Sequence, residues 1–490
     1  MTSIKGESRL LIDGKLVEAQ SGRTFDNINP ATEEVLGDVA DAGAEDMDAA
    51  IAAARRAFDE TDWATNHKFR QKCILQLQEA LEAEQEELRS ELVAEVGTPV
   101  LLTYGPQLDA PLAEALRWPA NYIDEFAWER DLPNGTAFGQ NSWRKVLKEA
   151  TGVVAAIVPW NYPFEVTLNK LGPALATGNT VILKPAPDTP WNATRIGRLV
   201  AERTDIPAGV LQVVATSDNS VAERLVTDPR VDLISFTGST GVGRRMMEKG
   251  GPTLKRLFLE LGGKSADIVL EDADFEAKLS FGWTICTHGG QGCVMLTRML
   301  LPRSRYEEGI SILEAGFKTV PYGDPTDASN FQGPQINARQ RDRILGYIDS
   351  AREEGARVVV GGGRPEHLPK GYFVEPTLLA DVDNSMKVAR EEIFGPVLVV
   401  IPFDDEEDAI RIANDSEYGL GCAVTAGSEE RAVAMARRLR AGTAMVNGGL
   451  WYGADSPFGG YKASGIGRQG GLEGFEQYTE TKALAGPLAT

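Results

Sequence analysis

Histidine, cysteine and long apolar runs are all scarce in this chain of 490 residues. The three histidines, His67, His288 and His367, are far apart. The sequence therefore offers few candidates for a histidine-rich metal site or a Ser-His-Asp triad. The four cysteines show no C-x-x-C spacing, and a large core needs no disulfide staples. This composition predicts a cytoplasmic protein with reduced thiols and no bound metal.

Basic residues are outnumbered as well. The chain has 50 lysines and arginines against 71 aspartates and glutamates, which gives a net charge of −21 at pH 7. Such a charge repels phosphate backbones, so nucleic acid is not an expected partner. No apolar stretch approaches the ~20 residues that a membrane helix needs, and the first residues do not open a signal peptide. We therefore expect neither membrane association nor a signal peptide.

The length predicts several structural units, at about 150 residues for each domain. Short apolar runs rich in β-formers alternate with helical segments at residues 153–157, 181–183, 210–214 and 231–236. This spacing predicts repeated βαβ units, and hence a parallel sheet covered on both faces. A second alternation between residues 339 and 446 predicts another α/β unit, so the fold class is α/β.

Three other segments have patterns of their own. Residues 46–95 carry apolar side chains at helical spacing with charges opposite, which predicts covering helices. Around residues 130–149 the helical period stops, and interspersed apolar and basic residues favour a protruding hairpin. The glycine-rich stretch at 457–471 predicts a long structured loop, and loops of that length are usually functional.

The hexapeptide HGGQGC at residues 288–293 is the strongest candidate for a reactive loop. Cys293 follows three glycines, so the backbone can fold tightly and approach a ligand closely. The alternative is that Cys293 is an ordinary buried small side chain, as most free cysteines are. His288 either assists this thiol or simply packs against its surroundings.

A carboxylate with apolar neighbours lies upstream, in LELGGK at residues 259–264. Glu260 stands between two leucines, and burial would raise its pKa toward the range of a general base. Buried glutamate is rare unless it is paired or functional. The alternative is an exposed glutamate at the edge of a strand.

Glycines that follow an apolar run offer a second kind of site. Gly238, Gly241 and Gly243 precede a helical segment, and their backbone N–H groups could hold a phosphate at the helix N-terminus. The order is G-x-x-G-x-G, so the usual dinucleotide fingerprint is absent. A helix capped by Ser239 or Thr240 after a glycine turn explains the pattern equally well.

Seven motifs occur together in the order seen in aldehyde dehydrogenases. They are PWNYP at 159–163, KP at 184–185, FTGST at 236–240, LELGGK at 259–264, GQGC at 290–293, EEIFGP at 391–396 and SPFGG at 456–460. The chain resembles that superfamily over nearly its whole length, and seven motifs in one order are highly specific. The resemblance implies an NAD(P)-dependent enzyme that oxidises an aldehyde to a carboxylic acid by hydrolysis, without acylating coenzyme A.

The resemblance also implies a domain organisation. A Rossmann-like parallel-sheet domain, residues 1–128 and 150–260, would bind the nicotinamide dinucleotide. An α/β catalytic domain would span residues 261–470. A small β element, residues 129–149 and 471–490, joins subunits in the family, so a homodimer or homotetramer is expected.

Four residues match the family's catalytic positions. Cys293 would be the nucleophile that forms a thiohemiacetal and then a thioester. Asn161 would stabilise the oxyanion, and Glu260 would take the proton of the hydrolytic water. Lys170 matches a family lysine behind the site and would relay protons. His288 replaces an asparagine that is more usual, which affects the local loop rather than the nucleophile.

Ten residues match the cofactor-binding positions: Val158, Pro159, Trp160, Lys184, Pro187, Gly238, Ser239, Gly262, Glu392 and Phe394. In the family, Lys184 would meet the adenosine ribose and Ser239 the pyrophosphate. Glu392 and Phe394 would meet the nicotinamide ribose and ring. Many NAD-preferring members have a glutamate where this chain has Pro187, which cannot bind the ribose 2′-hydroxyl. NAD is the expected cofactor, and because a carboxylate that would repel a 2′-phosphate is missing here, NADP use is open as well.

The family's aldehyde tunnel maps onto mainly aromatic and apolar side chains. They are Tyr162, Val166, Asn169, Val294, Leu450, Trp451, Tyr452 and Phe458, together with Glu165. No arginine is among them. An apolar or aromatic aldehyde is therefore expected, and a dicarboxylic semialdehyde is disfavoured.

Three other functions stay open. An enzyme that acylates coenzyme A typically lacks the general base, so Glu260 argues against it. A thiol esterase would use the same thiol and base without a cofactor. A non-catalytic structural relative would keep the fold alone, and the presence of Cys293, Glu260 and Asn161 argues against it.

Overall fold

The structure is a computed structural model that describes residues 6–450 and 452–488. Within these ranges the strands are β1 (Leu10–Ile12), β2 (Lys15–Val17), β3 (Thr24–Ile28), β4 (Val35–Ala40), β5 (Glu129–Ala137), β6 (Gln140–Ala150), β7 (Val153–Ile157), β8 (Thr180–Lys184), β9 (Leu211–Val213), β10 (Leu233–Thr237), β11 (Arg256–Glu260), β12 (Ala266–Val269), β13 (Arg298–Pro302), β14 (Arg357–Val360), β15 (Thr377–Ala380), β16 (Val397–Phe403), β17 (Gly421–Thr425), β18 (Thr443–Val446), β19 (Gly465–Ile466) and β20 (Thr479–Pro487). The helices are α1 (Ala44–Glu60), α2 (His67–Ala83), α3 (Gln85–Glu91), α4 (Val100–Thr103), α5 (Asp109–Glu114), α6 (Arg117–Tyr122), α7 (Pro163–Ala176), α8 (Trp191–Arg203), α9 (Asn219–Thr227), α10 (Thr240–Gly250), α11 (Phe275–Leu279), α12 (Tyr306–Phe317), α13 (Ala338–Glu353), α14 (Lys387–Arg390), α15 (Glu406–Asn414), α16 (Glu429–Ala436) and α17 (Gly471–Glu476). None of these helices is long and apolar enough to span a bilayer.

The first large sheet has eight strands in the order β19-β11-β10-β7-β8-β9-β1-β2. Its five central strands, from β11 to β9, are parallel, as the alternation of apolar runs predicts. The edge strands β1, β2 and β19 are antiparallel, so the expectation of a purely parallel sheet is wrong at the edges. Strands β1 and β19 pair with β9 and β11 across long sequence separations, which no local apolar pattern signals, and β2 joins the sheet through a short hairpin with β1.

Helices cover both faces of this sheet, as predicted. One face packs against α2, α7 and α8 through a cluster that includes Leu77, Leu171 and Ile196. The other face packs against α1 and α9 through Ile51 and Leu225. Strands β7, β8 and β10 are buried along their whole length, which explains why their sequences are continuous apolar runs.

The second large sheet has seven strands in the order β14-β15-β16-β13-β12-β17-β18. All neighbouring pairs are parallel except β14 with β15, which confirms the second α/β alternation. Only residues 261–265 separate β11 of the first sheet from β12 of the second. Glu260, the last residue of β11, therefore lies at the junction between the two sheets.

A third, antiparallel sheet has three strands in the order β20-β6-β5. Strands β5 and β6 form the hairpin that the sequence predicts at residues 130–149. Strand β20 adds to β6 from Thr479 opposite Ala150 to Pro487 opposite Ser142. The side chains of β20 are mostly exposed, so this sheet presents one strand of the C-terminal segment to solvent.

One acidic residue in the helical region before residue 100 is buried, although the helical apolar pattern predicts that charges there face the solvent. Glu95 is fully buried, and its carboxylate accepts hydrogen bonds from the backbone N–H groups of Trp191 and Asn192. The side-chain amide of Asn192 donates to the same carboxylate. Glu95 therefore caps helix α8 from a distant segment, and the expected solvent-facing placement of its charge is wrong.

Candidate active site

A cavity of about 430 Å³ opens at the carboxyl ends of β7, β10 and β11. Ligands bind at this edge of parallel sheets because the chain leaves each strand there for the next helix. Loops that precede β13 and β16 of the second sheet form the opposite wall. Six of the seven sequence motifs contribute lining residues, and the KP motif at 184–185 does not.

The structure brings most of the predicted site residues to this one cavity. The lining includes Pro159, Trp160, Asn161, Tyr162, Val166, Asn169, Gly238, Ser239, Glu260, Gly262, Cys293, Val294, Glu392, Phe394, Tyr452 and Phe458. Val158, Lys170 and Lys184 are buried but do not line it, and Pro187 is half-buried outside it. Leu450 is 87% exposed and lies outside the lining, and Trp451 falls outside the described residues.

The loop that carries Cys293 is fixed by its backbone conformation. His288, Gly289 and Gly290 all have positive φ, at 52°, 64° and 71°. A Cβ atom on Gly290 would lie 2.0 Å from the carbonyl oxygen of Gly395, so only glycine allows this approach. The loop therefore packs directly against the second sheet's wall, with the Cys293 side chain half-buried at the cavity.

Gln291 holds this loop from within. Its side-chain amide donates to the carbonyls of His288 and Pro334, and its side-chain oxygen accepts from the backbone N–H of Ile336. Its own carbonyl accepts a hydrogen bond of 2.8 Å from Nδ2 of Asn161. The amide of Asn161 is thus oriented by the backbone of the loop that carries Cys293.

His288 is fully buried below the loop, and its ring packs edge-on against Tyr162 with ring centroids 5.5 Å apart. Burial lowers the pKa of His288 to about 4, so the imidazole is neutral at physiological pH. Of the two interpretations of His288, the structure favours local packing. Its positive φ suits histidine or asparagine better than most residues, which accounts for the departure from the usual asparagine.

Glu260 is only 3% exposed, so the alternative of an exposed strand-edge glutamate is wrong. The carboxyl group contacts the thiol of Cys293, and Lys170 acts on it electrostatically. Burial nevertheless raises the pKa of Glu260 above its ordinary value. A raised pKa makes this carboxylate a stronger base than an exposed glutamate, as a general base requires.

Lys170 lies behind Glu260 and is fully buried. Its Nζ donates a hydrogen bond of 3.2 Å to Oγ of Ser235 and stands 4.8 Å from the centre of the Phe258 ring. Burial lowers the pKa of Lys170 to about 7, against the opposing effect of Glu260. Lys170 therefore exchanges its proton easily near neutral pH, as a proton relay requires.

The thiol of Cys293 is surrounded by acidic groups. Burial, together with the carboxylates of Glu260, Glu392 and Glu165, raises its pKa well above 9.0. In the free protein the thiol is therefore protonated at neutral pH, although it faces a cavity.

This environment gives a testable pH dependence. The rate of alkylation of Cys293 by iodoacetamide in the cofactor-free protein is expected to rise about tenfold for each pH unit, because only the thiolate reacts. The rise should continue without a plateau up to pH 9.0. Mass spectrometry of the modified peptide gives the rate, and the Cys293→Ala variant gives the background. A plateau at any pH below 9.0 would contradict the proposed environment.

The other end of the cavity has features that fit a dinucleotide. Ser239 caps α10 through a hydrogen bond from the Val242 N–H, and Gly238 and Ser239 both line the cavity. A Cβ on Gly243 would lie 2.7 Å from the Leu261 side chain, so a glycine lets α10 pack closely on the segment after β11. Close approach here brings the N-terminus of an 11-residue helix to the cavity, where it can hold a pyrophosphate.

Glu392 and Phe394 form the wall beside this helix. The backbone N–H of Gly263 donates 2.9 Å to Oε1 of Glu392, and a Cβ on Gly262 would lie 2.4 Å from Oε2. Burial raises the pKa of Glu392 to about 7. Phe394 has a φ of 61° and meets the Trp160 ring edge-on at 5.4 Å. These groups can accept hydrogen bonds from a ribose and pack against a flat ring.

Part of the cavity wall was not identified from the sequence. Helix α5 and its flanks contribute Pro106, Ala110, Pro111, Glu114 and Ala115, and α13 contributes Gln340 and Arg343. Helix α5 has only six residues and contains no recognisable motif. Its position at the cavity depends on packing between distant segments, so no signal in its own sequence could have identified it.

Comparisons with known proteins agree with this geometry. The model of the aldehyde dehydrogenase family matches residues 16–484. The chain is 40% identical to the 3-succinoylsemialdehyde-pyridine dehydrogenase of a Pseudomonas species, over 97% of this chain and 98% of that relative. Similar solved structures include the Mycobacterium tuberculosis aldehyde dehydrogenase complexed with NAD+, with a TM-score of 0.92, 41% identity and coverage of 97% of both chains.

A point mutant of the Staphylococcus aureus betaine aldehyde dehydrogenase, solved in complex with NAD+, is also similar in structure. Its TM-score is 0.95 at 34% identity, over 99% of this chain and 98% of the other. The matches extend over nearly the whole of each chain, so they include both large sheets and the cavity between them. The chain belongs to the aldehyde dehydrogenase family.

Proposed function

We propose that this protein oxidises an aldehyde to its carboxylic acid with NAD+ through a covalent adduct on Cys293. The observation that carries the proposal is the meeting of Cys293, Glu260 and Asn161 in one cavity that continues to Glu392 and Phe394. A nucleophile, a base and an oxyanion donor are thereby placed at one end of a cleft that fits a dinucleotide at the other.

In the first step the Cys293 thiol loses its proton to solvent and the resulting thiolate attacks the aldehyde carbon, so that a carbon–sulfur bond forms as the carbonyl oxygen becomes negative. The Asn161 amide and the Cys293 backbone N–H would bind that charge. One N–H of the Asn161 amide donates to the Gln291 carbonyl, which fixes the orientation of the amide. The second N–H is left to bind the oxyanion. Bound NAD+ supplies the acceptor for the hydride that leaves the adduct, and a thioester on Cys293 remains.

In the second step Glu260 takes a proton from water as the water oxygen attacks the thioester carbon. The carbon–sulfur bond then breaks, and the acid leaves with the thiol regenerated. Lys170 passes the proton held by Glu260 onward through its contact with Ser235, whose Oγ lies 2.8 Å from the Tyr478 hydroxyl. The overall change consumes one aldehyde, one NAD+ and one water, and yields one acid, one NADH and one proton.

The role of Asn161 can be tested directly. Substituting alanine removes the amide donor, and kcat is expected to fall about 10²- to 10³-fold, as for other oxyanion donors. The affinity for NAD+ should change little, because the amide contacts the loop of Cys293 rather than the wall at Glu392. Steady-state kinetics and equilibrium NAD+ binding give the two readouts. A loss confined to NAD+ binding would contradict this role.

We infer NAD+ as the preferred cofactor and NADP+ as a second one. Similar structures are solved with NAD+. Pro187 cannot bind a 2′-hydroxyl, but the next residue, Asp188, acts electrostatically on Lys184 and accepts a hydrogen bond from Asn337. A carboxylate beside Lys184 disfavours a 2′-phosphate. The ratio of kcat/KM for the two cofactors tests this inference.

The aldehyde is proposed to have an apolar or aromatic body. Tyr162, Val166, Val294 and Phe458 line the cavity near Cys293, and burying matching surface against them favours such a substrate. Relatives named for pyridine-bearing and betaine aldehydes show that the fold accepts differing bodies, so the side chains of this cavity must decide.

The deciding experiment follows NADH formation with a panel of aliphatic, terpenoid and aromatic aldehydes. We expect NADH formation when NAD+ is present and the Cys293 thiol is intact. Hydrolysis of activated esters without any aldehyde oxidation would instead favour a thiol esterase. The absence of both activities in folded protein would favour a structural relative.

The three-stranded sheet is proposed as an oligomerisation element. The boundaries proposed for it, residues 129–149 and 471–490, contain β5, β6 and β20 almost completely. Residues 1–128 and 150–260 would form the dinucleotide-binding domain, and 261–470 the catalytic domain. Deleting the β5–β6 hairpin should convert a dimer or tetramer into monomers in analytical ultracentrifugation.

A further inference from the structure

The substrate half of the cavity carries carboxylates that the proposed steps do not use. Glu165 on α7 lines the cavity, and its Oε1 lies 3.4 Å from Nδ2 of Asn169, one helical turn further on. Its carboxyl group also contacts the hydroxyl of Tyr452. Glu114, at the end of α5, lines the same cavity and accepts a hydrogen bond from the backbone N–H of Ala454.

No basic side chain is among the described residues that line this half of the cavity. Among the described residues that line the whole cavity, Arg343 is the basic one, and its guanidinium donates to the carbonyls of Glu392 and Ile393 at the cofactor end. Glu165 forms no ion pair within the described part of the chain. Its charged neighbour is instead a second carboxyl group, that of Glu260.

In the absence of a ligand, ionisation of the carboxyl groups in this half of the cavity is unfavourable. Burial and the neighbouring carboxyl group of Glu260 together raise the pKa of Glu165 to about 8. Glu260 is 3% exposed and faces the same cavity, and its Oε1 has no hydrogen-bond partner among the described residues. A buried carboxylate is stabilised most by a cation that reaches it in the same desolvated space. The cavity therefore favours a ligand that brings positive charge.

We propose that the substrate is an aldehyde whose body carries a cationic nitrogen, which Glu165 binds while the carbonyl carbon faces Cys293. This inference rests on the proposed oxidation and narrows its substrate class. The aromatic rings of Tyr162 and Phe458 on the same wall are compatible with a cation, because the face of an aromatic ring attracts positive charge.

Glu114 extends the same field toward solvent. It is exposed, and its carboxylate acts electrostatically on Tyr452, which contacts Glu165. A row of carboxylates in a cleft focuses the potential and raises the local concentration of cations. The net charge of −21 acts in the same direction over longer distances. Glu114 would therefore draw the cation to the cavity, and Glu165 would hold it.

The test uses pairs of aldehydes that differ only in charge. One pair is an aldehyde that ends in a trimethylammonium group and its uncharged isostere that ends in a tert-butyl group. The second pair is aminopropanal and butanal. In wild type, kcat/KM for the cationic member is expected to exceed that of its neutral partner about tenfold, the effect of one paired charge at a specificity site.

Substitution then assigns the preference to one carboxylate. In Glu165→Gln the ratio of kcat/KM between the members of each pair should fall to about one. Glu353→Gln is the matched control, because it removes the same charge from an exposed position on α13 outside the cavity. This control should keep the wild-type ratio. Competitive inhibition by butyltrimethylammonium, which has no aldehyde, measures binding alone and should weaken in Glu165→Gln.

The outcomes separate the two proposals. Equal kcat/KM for charged and neutral members in wild type would overturn the cationic substrate, and this measurement depends on no variant. A preference that persists in Glu165→Gln would overturn the role of Glu165. Failure to oxidise any aldehyde would instead overturn the proposed function. A preference shown by the amine but not by the trimethylammonium compound would identify a hydrogen-bonded ammonium at Glu165.

Discussion

Replacing Cys293 with alanine is expected to reduce kcat/KM for aldehyde oxidation about 10⁴-fold or more, the size of effect seen when a catalytic nucleophile is removed. No other cysteine in the described structure can take its place. Cys73 and Cys422 are buried, and burial raises their pKa values to about 11 and 12. Cys286 is fully buried beside the second sheet, and burial raises its pKa as well. NADH formation under saturating NAD+ gives the measurement.

The matched control is Cys286→Ala, which removes a thiol from the same segment without touching the cavity lining. It should keep aldehyde oxidation. Equilibrium binding of NAD+ to Cys293→Ala should match wild type, which separates loss of chemistry from loss of structure. Ester hydrolysis that survives in Cys293→Ala would show that any esterase activity has another nucleophile, and aldehyde oxidation that survives would remove Cys293 from the mechanism.

The sequence predicted the fold where burial leaves a local pattern. The central strands of the first sheet are buried on both faces, so their continuous apolar runs identify them one by one. The edge strand β19 has two residues, and it pairs with β11 across about two hundred positions through backbone hydrogen bonds. The helical pattern predicts that Glu95 is a charge on the surface. It is buried and caps the start of α8 only because that helix packs against it.

The chemical groups of the site were also predictable, because each lies in a short motif with unusual composition. Cys293, Glu260 and Asn161 are such residues, and the structure places all three on one cavity. The pocket wall was harder to predict. Leu450 and Tyr452 are two positions apart in a loop without regular periodicity, and only Tyr452 lines the cavity. A loop sequence carries no rule for which side chain faces inward.

The electrostatic character of the cavity could not be predicted from the tunnel residues alone. Glu165 was among them, but its effect depends on which side chains surround it, and no basic one is among the described residues that line this half of the cavity. Glu114 comes from a helix that no motif marks. The sequence predicted an apolar or aromatic body for the substrate, and the three-dimensional arrangement adds the case for a positive charge on that body.

Replacing Glu260 with glutamine is expected to lower steady-state turnover about 10²- to 10⁴-fold, the usual contribution of a general base. Glutamine keeps the shape of the buried side chain, but it replaces one accepting oxygen with an amide N–H donor and cannot act as a base. The first turnover should survive, because hydride transfer precedes hydrolysis in the proposed sequence. Rapid mixing should therefore show a burst of NADH close to one per active site, and intact-protein mass spectrometry should show an acyl group on Cys293.

Glu392→Gln is the matched control, since Glu392 is another buried carboxyl group on the same cavity, with its pKa raised to about 7. Its position beside Gly262 and Gly263 places it at the cofactor end, so its loss should raise KM for NAD+ without trapping an acyl group. If Glu260→Gln loses the burst as well, Glu260 acts before hydride transfer, through its contact with the Cys293 thiol.

The pH dependence of the hydrolysis rate also tests whether Glu260 is the general base for hydrolysis or acts before hydride transfer. A general base works only when it is deprotonated, and burial raises the pKa of Glu260, so the wild-type hydrolysis rate should rise with pH as that carboxyl group ionises. Glu260→Gln should lose this rise from the decay of the acyl group. Lys170, with a pKa of about 7, is coupled to the same equilibrium, so Lys170→Met should shift the rise rather than abolish it. A rise that is identical in wild type and Glu260→Gln would assign the base to another group.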